Sequence, residues 1–196
     1  RLCLANFRIT NKDYYKMANG CQIRKQDETY FITLTVVNWI DVFTRRMYRD
    51  IVVENLRYCQ KNKGLEIFAF VIMTNHIHLI VRCQNGNLSS VIRDFKSYTA
   101  KRVLETIAEC AESRREWMLK MFAISASRNK RNEKYQFWKQ DNHPELLYSS
   151  RFIDEKVNYI HENPVKAGFV SNAEDYEYSS ARWFAGKDCV LEVSNL

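Results

Sequence analysis

Two histidines, His76 and His78, flank one isoleucine inside Met73-Thr74-Asn75-His76-Ile77-His78-Leu79-Ile80-Val81, a run rich in aliphatic and β-branched residues. Such a run favours a strand, and on a strand residues i and i+2 share a face. The two imidazoles therefore stand side by side, with Ile77, Leu79 and Val81 turned the other way. Adjacent neutral imidazoles can chelate one metal ion. The same spacing also describes two hydrogen-bonded histidines in an ordinary strand, so a third ligand and a nucleophile must come from elsewhere in the chain.

A second group sits about eighty residues downstream. Ser149-Ser150 opens a helix that runs from Phe152 to Asn163, ahead of Pro164, with Ile153, Val157 and Ile160 as its buried stripe. Tyr159 and Asn163 are four apart and share a face, with Glu155 one turn earlier. A phenol is a nucleophile, an amide oxygen a neutral ligand and a carboxylate an alternative ligand. His161 lies about 200° round the helix from Tyr159 and points elsewhere. Pro164 disfavours helical geometry at Asn163, which weakens that residue's placement.

The intervening chain must position these groups. Residues 1–29 mix Asn, Lys, Asp and Tyr without sustained periodicity and read as an irregular N-terminal arm. Tyr30 to Val37 is a first strand, and a helix is predicted from about residue 41 to 61, ended by Lys63-Gly64. Glu66 to Met73 and His76 to Cys83 are two strands joined through Thr74-Asn75, a tight hairpin. Asn87 or Ser89 caps the next helix, whose apolar face holds Leu88, Val91, Ile92, Phe95, Tyr98 and Val103. Arg93, Ser97 and Lys101 form a second stripe on it, either a solvated face or a phosphate-contact surface.

Residues 110–134 read as a basic, helix-prone insertion whose tail, Ser125 to Lys130, is an exposed loop. Tyr135 to Gln140 resumes strand character, and His143-Pro144-Glu145 turns the chain. The order β-α-β-β-α-β followed by a helix predicts an α+β, ferredoxin-like antiparallel sheet. Residues 30–185 are read as one domain and residues 186–196 as a C-terminal tail.

The 196 residues suffice for one substantial core, and 46% hydrophobic with 27% charged residues is an ordinary soluble composition. A net charge of +7 fits a polyanionic partner such as nucleic acid. No apolar run approaches the roughly 18 residues of a membrane span. Arg1-Leu2-Cys3-Leu4-Ala5 is too short and too soon polar for a signal peptide. The six cysteines form no C-x-x-C pair, which fits free thiols in a reducing compartment and a cytoplasmic location.

The histidine stretch, the Phe137-Trp138 segment and Tyr159-Ile160-His161-Glu162-Asn163-Pro164-Val165-Lys166-Ala167-Gly168 together resemble the REP-associated tyrosine transposases, of the single-tyrosine HUH superfamily. The resemblance spans roughly residues 30–185. It implies that His76 and His78 bind a divalent metal, Mg²⁺ or Mn²⁺, with Asn163 as the third, amide ligand. It also implies that Tyr159 attacks single-stranded DNA beside a hairpin to give a 5′-phosphotyrosine. Lys156, at i−3, is expected to favour the Tyr159 phenolate. The basic insertion departs from shorter members and leaves DNA-site recognition open.

For DNA contact, Arg93, Lys101, Arg128, Lys130 and Arg131 are candidates to hold the backbone, and Trp138 to stack an unpaired base. Core packing and a solvated surface are the plainer readings of the same residues. Two other functions stay open: a non-catalytic binder of structured nucleic acid on the same fold, and a metal-dependent hydrolase with His143 or Glu155 as a further ligand. An RNA-recognition module would want aromatics on its central strand, where His76, His78, Ile80 and Arg82 offer none. Monomer and homodimer are equally compatible with the sequence.

Overall fold

The computed structural model describes residues 22–129 and 134–195. Residues 1–21 of the expected arm, and with them Lys130 and Arg131, lie outside the described residues. Strand β1 (Tyr30–Thr35) pairs antiparallel with β3 (His76–Cys83) along its whole length, with Tyr30 opposite Val81 and Thr35 opposite His76. On its other side β3 pairs with β2 (Leu65–Ile72), with one irregularity between Ile67 and Ala69. The Met73 N–H bonds the His76 carbonyl at 2.9 Å, so Thr74 and Asn75 form the expected two-residue loop. The short β4 (Glu145–Leu146) completes an antiparallel sheet in the order β2-β3-β1-β4. This is the predicted ferredoxin-like α+β arrangement.

Alternation gives the sheet two different faces. Ile32 and Leu34 pair with Leu79 and Ile77 on one face, while Thr33 and Thr35 pair with His78 and His76 on the other. Helices α1 (Arg46–Lys63) and α2 (Leu88–Glu109) pack on each other and on the first face. The Cys83 thiol there reaches both the Lys63 carbonyl and Asn87, where α1 ends and α2 begins. Gly64 ends α1 at φ +67, and a Cβ at that position would stand 2.9 Å from the Asn85 amide. The helix starts at Arg46, five residues later than its periodicity suggests. Asp41 instead accepts the Thr74 hydroxyl at 2.6 Å and the Asn75 amide at 2.8 Å, bracing the β2–β3 loop.

The strand expected over 135–140 is reduced to one bridge, Trp138 opposite Val36. Beyond that bridge the Thr33 N–H reaches the Asn142 carbonyl at 2.9 Å, and ladder pairing with β1 resumes at β4. Between them His143 adopts φ +41 and Pro144 has no N–H to give a ladder. Lys96 also draws the Lys139 carbonyl and the Asn142 side chain toward α2. The basic insertion holds a helix, α3 (Arg115–Ser127), whose Met118, Phe122 and Ala126 are buried at a spacing of four. Ser125 to Ser127 therefore belong to a helix and not to the expected loop.

Helix α4 (Ser150–Lys166) is capped by the Ser149 hydroxyl, which accepts the Phe152 N–H at 3.3 Å. It runs through Pro164 and packs across β2 and β3. Residues 178–180 hydrogen-bond to the outer edge of β2, and Ser194 donates to the Ile67 carbonyl at 2.8 Å. Leu191 and Val193 are buried, so the expected tail is part of the packed unit. Among the described residues no helix is long and apolar enough to cross a membrane.

Candidate active site

The sheet face away from α1 and α2 carries the histidine pair, with ring centroids 4.7 Å apart. His78 is 4% exposed and stacks on Phe31 at 5.3 Å, and its Nδ1 meets the Thr33 hydroxyl at 2.9 Å. His76 places Nδ1 2.7 Å from Asn75 Oδ1. The Asn75 Nδ2 donates to Asp41 and to the Trp39 carbonyl, which fixes the amide with its oxygen toward the ring. His76 Nδ1 must then carry the proton, and Nε2 keeps a free lone pair.

Burial pushes the His78 pKa down to about 3, helped by the neighbouring His76 and Lys156 charges. Burial also lowers that of His76, opposed by a hydrogen bond from Asn163 and by the Asp41 charge. Both rings are therefore neutral near pH 7, the state that binds metals. His161, hydrogen-bonded to the Ser180 hydroxyl at 2.9 Å, is pushed by burial to about 4. A depressed pKa means that the unfolded chain binds more protons, so the stability from these neutral rings is complete above about pH 6.5. It is lost as pH falls through about 4 for His161 and about 3 for His78. In an NMR titration the His78 ring should show no protonation between pH 8 and about 4.5; a midpoint near 6.5 would contradict its burial.

Helix α4 lays its residues over this pair. The Tyr159 ring is 5.2 Å from that of His78 and 5.9 Å from Phe31, 45% exposed, and its hydroxyl bonds no described residue. One turn on, the Asn163 amide meets the His76 ring, while its Nδ2 goes to the Tyr159 carbonyl at 2.9 Å. Among the described residues no third His, Cys, Asp or Glu side chain joins the pair.

Other expected residues lie elsewhere. Glu155 pairs with Arg151 at 3.1 Å on the open side of α4, and His143 pairs with Asp141 at 3.5 Å. Arg93 pairs with Asp94, and Lys101 stands 4.0 Å from Glu105, both on α2 beyond the opposite face of the sheet. Arg128 is exposed just past α3. Lys156 does not address the phenol: its ammonium is 2.7 Å from Glu145 and lies over the Phe31 ring.

Trp138 is 5% exposed, packed between Phe43 and Phe95, with its indole N–H on the Thr99 hydroxyl at 3.1 Å. It has no open face for a base. Trp138→Ala is expected to cost about 3–5 kcal/mol of stability and to leave the DNA affinity of the folded fraction unchanged. Urea unfolding alongside binding isotherms would show this, and a loss of affinity without loss of stability would reverse the assignment.

The sequence reading passed over Thr33 and Asn75, which orient the two histidines. Their partners are set by β1–β3 register and by the hairpin, and only the Thr74-Asn75 turn gave a local signal.

With the histidine-bearing sheet in place, the comparison with known families decides the lineage. The family described as "Transposase IS200 like" matches residues 26–139. The chain belongs to this family. The match covers β1 to the Trp138 bridge, including His76 and His78, and ends before α4 with Tyr159 and Asn163. No curated protein matches this IS200-like transposase. A solved structure described as a "REP associates tyrosine transposase bound to a REP hairpin" superposes with a TM-score of 0.55 at 19% identity. The likeness covers 90% of this chain and 92% of that one, so the two share a fold over most of their length.

Proposed function

We propose that this transposase nicks single-stranded DNA beside a hairpin and transfers the strand through a covalent bond to Tyr159. The observation that carries this is the convergence of α4 on β3: Tyr159 packs at 5.2 Å against His78, and Asn163 against His76. A phenol oxygen attacks the phosphorus, the bond to the 3′ oxygen breaks, and that oxygen leaves as a 3′-hydroxyl. The phosphate stays esterified to Tyr159. A second 3′-hydroxyl then displaces the tyrosine and rejoins a strand without ATP, because the ester conserves the bond energy.

His76, His78 and Asn163 would hold a divalent ion. The donor chemistry fits: His76, with its Nδ1 proton on Asn75, keeps an Nε2 lone pair, His78 keeps one when its Nδ1–H donates to the Thr33 hydroxyl, and the Asn163 amide would supply an oxygen. Bound Mg²⁺ or Mn²⁺ would withdraw charge from the scissile phosphate, with the imidazoles favouring Mn²⁺.

The hairpin in the proposal is supported by the REP hairpin in the solved neighbour and by the +7 charge. An unpaired strand can bring its phosphate in line with a tyrosine held on a helix. The test is a denaturing gel after incubation of the chain with a labelled hairpin-flanked single strand and Mn²⁺. A protein-linked strand supports the proposal, and cleavage with both products free points to hydrolysis.

A further inference from the structure

Beside the histidine pair the backbone does something costly. Asn38 and Trp39 both take positive φ, +54 and +55, in the region that side chains with a Cβ rarely enter. Such geometry persists only where the surroundings impose it, and it gathers at functional sites. Here Val37 and Ile40 are buried on either side, and the Asn38 amide donates to the Ser125 hydroxyl of α3 at 2.9 Å. The Trp39 carbonyl takes the Asn75 amide at 3.3 Å. The side chain that orients His76 therefore also pins Trp39.

The result is not core packing. Trp39 is 55% exposed, with its indole 5.9 Å from the His76 ring and nearly perpendicular to it. Lys139, carried beside it by the Trp138 bridge, holds its ammonium 4.1 Å from the indole centre. Among the described residues no carboxylate pairs with that ammonium, whereas Lys156 on the far side of the pair is neutralised by Glu145. The other exposed tryptophans, Trp117 and Trp183, make no ring contact with either histidine. An open aromatic face with an unpaired cation at its side is what single-stranded nucleic acid is held by: a base stacks, and its phosphate meets the charge.

From this we infer that Trp39 and Lys139 form a subsite for one unpaired nucleobase next to the scissile phosphate, Trp39 stacking the base and Lys139 holding the adjoining phosphate. The subsite rests on the reading of His76 and Tyr159 as the DNA-cleaving centre. It gives the enzyme a reason to require an unpaired nucleotide at the cut, because a base offers its full ring face only when unstacked from its neighbours.

The test is a binding cycle by fluorescence anisotropy in the Tyr159→Phe background, where no strand is consumed. A single abasic nucleotide is walked through the positions flanking the cleaved linkage of a hairpin-flanked single strand. One position should lose about 5- to 100-fold in affinity, as removal of one base–aromatic stack does. Trp39→Ala should lose the same factor with the intact strand and nothing further with the abasic one, and Trp39→Phe should recover most of it. Lys139→Gln should weaken binding and lower the salt slope by about one unit. Melting temperatures of the variants report whether the loop still folds. Unchanged affinity in Trp39→Ala, or abasic losses identical in it and in the parent, overturns the subsite. The two readings fail separately once the parent chain is assayed for a Tyr159 adduct beside the cycle: additive losses with an adduct on the parent remove only the subsite, and a coupled cycle without any adduct on the parent removes only strand transfer.

Discussion

Tyr159→Phe is expected to abolish covalent capture of a hairpin-flanked single strand, by more than about 1,000-fold, while its binding stays within about twofold. The phenyl ring keeps the packing on His78 at 5.2 Å and on Phe31 at 5.9 Å. The lost hydroxyl bonds no described residue, and the side chain is 45% exposed, so the fold loses little. What disappears is the oxygen that would form the phosphate ester. A phenol, with a reference pKa of about 10, is a reluctant nucleophile, and Lys156 gives no direct help because Glu145 holds its ammonium at 2.7 Å. Activation must come from the histidine side of the site. If Tyr159→Phe still captures DNA at the parent rate, another residue carries the bond.

His76→Ala is expected to remove cleavage and the response to divalent metal together. His76 is half-buried at the end of β3, so its loss leaves the sheet standing. It strips Asn75 Oδ1 and Asn163 of their shared partner and removes one nitrogen from the donor set. A lost Lewis acid on a phosphate is worth several kcal/mol of transition-state stabilisation, roughly 100- to 10,000-fold in rate. Two readouts check it. Cleavage by the parent should vanish in EDTA and return with Mn²⁺, and millimolar Mn²⁺ should raise the melting temperature of the parent but not of His76→Ala. Parent activity that survives EDTA would remove the metal from the chemistry.

Much of this site could be read before folding. Runs of β-branched, aromatic and aliphatic residues marked β1 and β3, the i, i+2 spacing put both imidazoles on one face, and the i, i+4 spacing put Tyr159 and Asn163 on one side of α4. Each depends on local geometry alone. What was hidden depends on partners distant in sequence. Trp138 looks equally fit to stack a base or fill a core until Thr99, on α2, takes its N–H. The fourth strand breaks because Lys96, more than forty residues earlier, takes up its carbonyls and because Pro144 follows. In Val37-Asn38-Trp39-Ile40 only Asn38 hints at a left-handed turn, since no glycine stands there and a tryptophan seldom takes that geometry. The buried Leu191 and Val193 did leave a faint signal, an apolar run from Cys189 to Val193 broken only by Glu192.

The most direct measurement is peptide mass mapping of the parent chain after incubation with a hairpin-flanked single strand and Mn²⁺. Strand transfer through the proposed centre predicts one nucleotide-bearing peptide from α4, with the phosphodiester on Tyr159. A nicked strand with no modified peptide, or an adduct on any other tyrosine, contradicts it.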